Sequence, residues 1–190
     1  NYAWANRQLL MHRVRKVLDD LFAPRFKNWH LALIYDVAHN IAKVEEHTID
    51  GRATKVVVHR KGATRSFGPG HPALSSDYHA VGQPVLVPGD MGTASYLLVG
   101  TTEAEEKSFA STCHGAGRVM SRGAATRQMR GEDVQQRLAE QGITVRGPWK
   151  GLAEEAPGAY KDIDRVVNVV HKAGLARKVA RMVPLGVIKG

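Results

Sequence analysis

The sequence has a single cysteine, Cys113, among 190 residues. One thiol excludes an intramolecular disulfide framework and leaves no second sulfur for a zinc module. No apolar run approaches the roughly 20 residues that a membrane helix needs, and no secretory leader precedes the first helical pattern. We therefore expect a chain without a membrane segment that works in the cytoplasm.

Internal repeats and low-complexity tracts are also lacking, which excludes solenoids and disordered tails. Hydrophobic residues make up 43% of the chain, enough for one globular domain or a large piece of one. The sequence opens without Met and directly on a strong amphipathic pattern. We expect a partial domain, with the given sequence beginning inside it.

The charge balance is basic, with 27 Lys and Arg against 18 Asp and Glu and a formal net charge of +9. A positive chain favours anionic partners, and nucleic acid is the first candidate. Because many soluble proteins are basic without binding nucleic acid, the charge alone leaves both interpretations open.

Three segments have helical spacing of apolar residues. The first ends before Pro24 and is carried by Leu10, Val14, Val17, Leu18 and Leu21. The second is predicted at Glu132–Gln141. The third begins at Asp162, whose side chain suits a helix N-cap, and its apolar spacing extends to Met182.

Strand patterns lie between these helices. A run of valines predicts a strand at Lys55–Arg60, and two further strands are predicted at Pro84–Val87 and Ser95–Val99. The segment Trp29–Val44 is long and apolar enough to be buried, although its period does not separate helix from strand. The mixture predicts an α+β (mixed α/β) class, with mixed β-sheets, flanking helices and long functional loops.

His114 is the first candidate for chemistry, because Gly115, Ala116, Gly117 and then Arg118 follow it. Small residues let backbone N–H groups approach a phosphate, and a guanidinium can bind phosphate with two hydrogen bonds. A neutral imidazole can also attack phosphorus and form a labile phosphoramidate. The same stretch taken alone is equally typical of a simple turn.

Two other stretches have the composition of phosphate-binding loops. Pro88–Tyr96 is a turn with two glycines and hydroxyl residues, which suits either a nucleotide loop or a tight connection between strands. His59–Arg65 places three cations where a strand enters a glycine turn. This run is typical of a contact to RNA or a triphosphate, or of a solvated face.

His39 lies in the otherwise apolar stretch Tyr35–Asn40, and we expect His39 and Asn40 in a packed element or at its end. Imidazole is a common ligand of catalytic divalent ions, but a buried histidine is often only a hydrogen-bonded core residue. Asn40 is a candidate phosphate contact. Cys113 beside His114 suggests a Cys/His pair, although adjacent residues seldom chelate one ion.

Taken in order, these stretches resemble the C-terminal part of the RtcB family, the GTP-dependent RNA ligases of tRNA splicing and RNA repair. The resemblance spans virtually the whole chain, and it implies that residues 1–190 are the C-terminal portion of a single catalytic domain with an RtcB-like fold. It rests on Asn1–Arg7, Tyr35–Lys43, His59–Arg65, Pro88–Tyr96, Cys113–Arg118, Ala156–Ile163 and Val187–Gly190.

The resemblance implies a reaction. His114 would take GMP from GTP with release of pyrophosphate and pass it to an RNA 3′-phosphate, after which a 5′-hydroxyl attacks and expels GMP. A 2′,3′-cyclic phosphate is first opened by the same enzyme, and manganese supports the chemistry by neutralising charge on the phosphoryl oxygens.

The resemblance also implies binding residues. His39 matches a manganese ligand and Asn40 a phosphate contact. The residues that match GTP contacts are Pro88, Gly89, Asp90, Met91, Ser95, Gly115, Ala116 and Gly117, with Tyr160 as a wall of the base pocket and Lys189 as a guanine contact. The family often has Ser at the position of Asp90, so this carboxylate is expected to point away from the phosphates or to meet the base.

The family's other metal ligands, an Asp, a Cys and two His, fall in an N-terminal segment outside these 190 residues. His39 alone cannot build a stable manganese site, so we expect this polypeptide by itself to be inactive in ligation. Expected partners are RNA (tRNA halves or broken RNA ends), GTP, the missing N-terminal part and an archease-like activator. The alternatives are a non-catalytic RNA-binding fragment or split subunit, and another nucleotidyl or phosphoryl transferase that uses His114.

Overall fold

The computed structural model describes residues 2–189, and the chain divides into two compact units between Asp36 and Val37. The first unit consists of helix α1 (Tyr2–Phe22) and an irregular segment. The helix ends two residues before Pro24, because proline cannot continue the hydrogen-bond ladder, as the spacing predicts. No described residue of α1 is buried.

Side-chain contacts hold the irregular segment of the first unit against α1. The guanidinium of Arg7 binds both carboxylate oxygens of Asp36, with Nε–Oδ1 at 2.5 Å and Nη2–Oδ2 at 3.0 Å. The rings of Phe22 and Trp29 stack with centroids 4.9 Å apart. Asp36, which belongs to the stretch that also holds His39, is therefore engaged with α1.

The second unit begins with a long hairpin. Strands β1 (Asn40–Ile49) and β2 (Arg52–Lys61) pair antiparallel from Asn40 opposite Lys61 to Ile49 opposite Arg52. After one residue, β3 (Ala63–Arg65) pairs antiparallel with β6 (Ser111–Cys113). The hairpin therefore leads directly to the strand that precedes His114.

A three-stranded antiparallel sheet forms the centre of this unit. Its order is β4 (Pro84–Pro88), β5 (Ser95–Gly100) and β8 (Ala176–Met182). Helix α7 (Ile163–Lys172) covers one face. Its N-cap Asp162, as predicted, accepts hydrogen bonds from the backbone N–H groups of Asp164 and Arg165. Val85, Val87, Leu98, Ile163 and Val167 fill the core between them.

Short helices and a parallel strand pair complete the unit. The remaining elements are α2 (Ser76–His79), α3 (Glu103–Ser108), α4 (Arg122–Gln128), α5 (Gly131–Glu140), β7 (Thr144–Arg146), α6 (Trp149–Glu154), a 3-10 turn (Pro157–Ala159) and β9 (Gly186–Ile188), which pairs with β7. A second apolar cluster around Leu138 and Leu152 lies between α5, α6 and β7. The chain therefore has the α+β class that its sequence predicts, and within residues 2–189 no helix combines the length and hydropathy required to cross a bilayer.

Two sequence predictions are wrong. The helix expected from Asp162 to Met182 ends at Lys172, and the following residues form β8. The physical reason is a helix stop at Gly174, which has φ +76°, while the next N–H returns to the carbonyl of Val170 at 3.1 Å. The apolar spacing therefore continues from a helix face into a strand of the sheet.

The segment Trp29–Val44 is also not one packed element. Its residues up to 38 form no helix or strand, and Leu33 and Ile34 are exposed. Only its end, from Asn40, joins β1. His39 therefore lies in a bend immediately before a strand, at the end of a regular element as expected but not in a buried one.

Candidate functional site

His114 follows directly after β6, and its imidazole lies against that of His39. The two ring centroids are 4.6 Å apart and the ring planes differ by 4°, so the rings are stacked. The backbone carbonyl of His39 accepts a hydrogen bond from the N–H of Gly62 at 2.9 Å. The structure thus brings together two histidines that the sequence separates by 75 positions.

Gly62 lies against the ring of His114. Its φ is +67°, and a Cβ built there would lie 3.4 Å from His114 Cε1 and 3.7 Å from His114 Nδ1. Only glycine adopts this backbone conformation without strain. The Nδ1–Cε1 edge of the His114 ring therefore faces the turn between β2 and β3.

The two glycine-containing loops also meet. Pro88 lies opposite Ser95 at the mouth of the β4–β5 hairpin, so the turn connects strands as one of its two interpretations expects. The carbonyl of Pro88 accepts a hydrogen bond from the N–H of Ala116 at 2.9 Å, and a Cβ on Gly115 would lie 3.3 Å from the same oxygen. The hairpin turn therefore borders the loop that starts at His114.

The side chains of the hairpin turn point mostly inward. Asp90 accepts hydrogen bonds from the Gly92 N–H and the Thr93 hydroxyl, both at 2.8 Å, so its carboxylate is turned into its own loop. The side chain of Met91 is buried in the second apolar cluster. Neighbouring groups also crowd the α-carbon of Gly89, since a Cβ there would lie 3.0 Å from Ile163. The side chains of Asp90 and Met91 are therefore engaged within the protein.

Glu155, just after α6, is the centre of a second polar group. Its carboxylate accepts a short hydrogen bond from the Tyr160 hydroxyl and lies 3.4 Å from Arg118, 3.2 Å from Arg122 and 3.8 Å from the ammonium of Lys189. The guanidinium of Arg118 also stands over the Tyr160 ring, 5.0 Å from its centroid. The predicted base-pocket residues Tyr160 and Lys189 therefore share one carboxylate.

These contacts set the protonation of the group. Burial by itself raises the pKa of Glu155, but hydrogen bonds from Tyr160 and Arg122 and the charges of Lys189 and Arg118 hold it below its ordinary value. The pKa of the Tyr160 hydroxyl is raised by burial and by its bond to Glu155. The carboxylate is thus ionised and the phenol is protonated at neutral pH.

Arg118 has a structural task in this group. Its Nη2 donates to the carbonyl of Glu154 at 2.6 Å and its Nε donates to the carbonyl of Met120 at 3.0 Å. A backbone bridge pairs Arg118 with Tyr160, and the N–H of Lys161 donates to the carbonyl of Gly117 at 2.9 Å. The loop that begins at His114 is therefore joined directly to the Glu155 group.

The basic run at residues 59–65 does not form one charged surface, and the prediction that Arg60 contacts RNA or a triphosphate is wrong. Arg60 is 3% exposed and is bound to Glu45 through both carboxylate oxygens. Arg65 donates to Gln83 and lies over the ring of Phe67. The period of the strand turns Arg60 inward, whereas Lys61 is exposed at the base of the hairpin opposite Asn40.

Cys113 is partly buried against the first core cluster. Burial raises the pKa of its thiol, and hydrogen bonds from neighbouring groups oppose this only in part. A protonated thiol is a poor nucleophile and a poor metal ligand. Cys113 is therefore the weaker candidate nucleophile of the Cys113–His114 pair.

Within residues 2–189 no three His, Cys, Asp or Glu side chains converge as a metal site. Stable sites for catalytic divalent ions need several protein donors, and here His39 and His114 face each other without a carboxylate or thiolate third partner. The donors of these residues do not fit a complete manganese site.

Sequence reasoning missed Glu45, Gly62 as a contact of His114, and Glu155. The partners of Glu155 lie 5 to 37 positions away, at Tyr160, Arg122, Arg118 and Lys189, and no local pattern connects them. For Glu45 a signal exists, because it falls on the inward-facing alternation of β1 together with buried His47. A carboxylate at such a position needs a cationic partner.

A profile of the family described as tRNA-splicing ligase RtcB matches residues 1–190. The chain is 58% identical to the tRNA-splicing ligase RtcB of Pyrococcus abyssi, 56% to that of Thermococcus kodakarensis and 57% to that of Archaeoglobus fulgidus, in each case over 100% of its length. It covers 21%, 40% and 40% of those proteins, so it spans two fifths or less of their length. With the family profile matched from end to end, this chain belongs to the tRNA-splicing ligase RtcB family.

Proposed function

We propose that this chain is the nucleotide-carrying portion of a GTP-dependent RNA ligase. The enzyme joins RNA 2′,3′-cyclic phosphate or 3′-phosphate ends to 5′-hydroxyl ends in tRNA splicing and RNA repair. The observation that carries the proposal is the position of His114, stacked on His39 and bordered by the turn that begins at Pro88. Family membership supports the substrate class.

The covalent step is nucleotidyl transfer to His114. A ring nitrogen attacks the α-phosphorus of GTP, a P–N bond forms, and the bond to the pyrophosphate oxygen breaks. Because the Nδ1–Cε1 edge faces Gly62, we assign the attack to Nε2. An RNA 3′-phosphate oxygen then displaces the histidine, and attack by a 5′-hydroxyl on the activated 3′-phosphorus releases GMP.

GTP would lie between the two groups of the site. Asn40 is assigned to a phosphate, and Tyr160 and Lys189 are assigned to the guanine. The two loops assigned to GTP as a whole contain Pro88, Gly89, Asp90, Met91, Ser95, Gly115, Ala116 and Gly117. In the described conformation the N–H of Ala116 is bound to Pro88, so this amide acts as a support for the loop. The carboxylate of Asp90 is held by its own loop, which supports an orientation away from the phosphates.

Exposed Lys61 beside Asn40 is a suitable contact for an RNA or nucleotide phosphate. Manganese, for which His39 is the one donor assigned in this chain, would neutralise phosphoryl charge when bound. The other donors, and therefore activity, require the further part that the relatives contain. An archease-like activator and a cytoplasmic location belong to the same proposal.

The test is formation of the His114 adduct. The complete protein is incubated with α-labelled GTP and Mn²⁺, and the peptide that contains His114 is examined by mass spectrometry for added GMP. His114→Ala should abolish the label, and unchanged labelling would refute the assignment.

A second candidate, a non-catalytic RNA-binding fragment or split subunit, is favoured by one observation: no three-donor metal site is found in residues 2–189. It predicts that residues 1–190 alone bind RNA without forming the adduct, and that a chain supplying the remaining donors restores it. Adduct formation by residues 1–190 alone would contradict both this candidate and our expectation of an inactive fragment.

A further inference from the structure

Arg60 makes a buried network of hydrogen bonds that connects the two parts of the chain carrying His39 and His114. Its Nη1 and Nη2 donate to the two carboxylate oxygens of Glu45, each at 2.7 Å. Its Nε donates to the hydroxyl of Ser111 at 2.9 Å, and Nη2 also donates to the carbonyl of Phe109 at 2.8 Å. The Arg60 side chain is 1% exposed, so these bonds form away from water.

Glu45 holds the guanidinium in place. Burial raises the pKa of Glu45, but the hydrogen bonds from Arg60 and His47 outweigh it and keep the pKa below its ordinary value. The His47 ring lies 3.1 Å from the same carboxylate and packs edge-on against Phe109, with centroids 5.2 Å apart. The orientation of Arg60 is therefore fixed by β1.

The hydrogen-bond network of Arg60 also reaches a strained bend at Phe109 and Ala110. Phe109 and Ala110 have φ of +50° and +48°, two consecutive non-glycine residues in the left-handed region. Such a conformation is strained in residues other than glycine and persists only where the surroundings hold it. The bond from Arg60 to the Phe109 carbonyl holds the bend from which β6 starts.

The two ends of the network lie close to the two histidines along the chain. Arg60 is the pairing partner of Ile41, two residues after His39. Ser111 is the first residue of β6, which delivers His114 directly after its end. A single side chain therefore links the strand after His39 to the strand before His114.

We propose that Arg60, held by Glu45, is a positioning residue for His114: it sets the start of β6 so that the His114 ring stacks on His39 in the geometry for nucleotidyl transfer. That this stacked geometry serves nucleotidyl transfer rests on the function proposed above. Arg60 touches neither reacting ring and acts through Ser111 and Phe109. Displacement of a reacting group by about 1 Å can slow a reaction roughly a hundredfold, so a small shift of β6 is sufficient.

The alternative is that the ion pair only stabilises the fold. A buried ion pair is weak evidence for stability, because replacing both partners by apolar residues of similar volume is often neutral or stabilising. Removing one partner, by contrast, leaves a buried uncompensated charge and destabilises the protein. A single and a double variant therefore distinguish the positioning of His114 from stabilisation of the fold.

The experiment uses the complete protein carrying Arg60→Met alone or Arg60→Met together with Glu45→Met. Two readouts are taken: the rate of His114–GMP formation at saturating GTP, and the NMR shifts of the histidine ring protons, which report the stack. We expect the single variant to melt at lower temperature and the double variant to regain thermal stability. In both, adduct formation should be slower by about tenfold to a hundredfold, and the ring-current shift of His114 should be lost.

Recovery of adduct formation and of the ring shift together with stability in the double variant would overturn the proposal. Ser111→Ala, which removes one hydrogen bond and no charge, serves if the double variant does not fold. A wild-type rate and a wild-type ring shift in Ser111→Ala would count against the role equally. If the unmodified protein forms no adduct, the proposed function fails, while the ring shifts still decide whether Arg60 positions His114.

Discussion

The imidazole rings of His39 and His114 lie parallel, with centroids 4.6 Å apart and planes 4° apart. The stack places the proposed metal ligand directly against the proposed nucleophile. A substitution at His39 therefore changes the surroundings of the His114 ring.

Replacing His39 by Phe distinguishes the contribution of the stacked ring from that of the ring nitrogens. Phenylalanine can keep the stack with His114 but cannot coordinate a metal, so we expect a folded protein with at least a hundredfold slower adduct formation, about 2.7 kcal/mol of activation free energy. The measurement is single-turnover labelling with GTP across a range of Mn²⁺ concentrations. A wild-type rate and Mn²⁺ dependence would show that the ring nitrogens of His39 are not needed.

Gly62→Ala should disturb the site specifically. The new Cβ would lie 3.4 Å from His114 Cε1, and the φ of +67° at this position strains alanine, so any movement that relieves the strain displaces the turn against the His114 ring. Gly51→Ala is the matched control, because Gly51 has φ +77° in the turn between β1 and β2, with nothing within 4 Å of the new Cβ. We expect both variants to lose roughly 1 kcal/mol of stability, and only Gly62→Ala to slow adduct formation. Equal rates in the two variants would contradict contact between Gly62 and a productive His114 ring.

Glu155→Gln should weaken GTP binding by about tenfold, or ~1.4 kcal/mol, because a neutral amide cannot hold Lys189 and Arg118 as a carboxylate does. Binding is measured by calorimetry on the complete protein with GTP and with ATP. Glu132→Gln, which loses an exposed ion pair to Arg130, should bind GTP like the unmodified protein. An unchanged GTP affinity in Glu155→Gln would show that the polar group around Glu155 is not part of the base pocket.

The acid stability of the protein should depend on Glu155. Its pKa is lowered in the folded state, so its ionised form stabilises the fold above the unfolded pKa of roughly 4.3, and this contribution disappears as the pH falls through the lower folded pKa. Glu155→Gln should therefore lose less thermal stability than the unmodified protein between about pH 5 and 3. Melting curves across this range measure the slope, and parallel slopes would contradict the lowered pKa.

Cys113 should react slowly with alkylating agents. Its pKa is raised by burial, so little thiolate is present at neutral pH, and we expect at least about tenfold slower reaction with iodoacetamide than in the denatured chain. Peptide-resolved mass spectrometry distinguishes Cys113 from any other thiol. Alkylation as fast as in the denatured chain would show that the thiol is not buried.

The local sequence pattern predicted helices and strands correctly where one kind of secondary structure continued without interruption. Helix α1 ends before Pro24, Asp162 caps α7, and the strands at Lys55–Arg60, Pro84–Val87 and Ser95–Val99 are confirmed within a few residues. The pattern failed at Gly174, where apolar residues continue in sequence but the backbone turns from a helix into a strand. Spacing alone does not register such a stop.

The sequence by itself determined the family, the nucleophile candidate His114 and the glycine loops near it, because these depend on residue identity and short-range order. Only the tertiary structure decided which of the cations face solvent. Arg60 and Lys61 are neighbours, yet the two-residue period of β2 buries the first against Glu45 and exposes the second. It also decided that His39 meets His114 and that Glu155 meets Lys189, since contacts between distant parts of a chain depend on strand pairing and packing that no local pattern encodes.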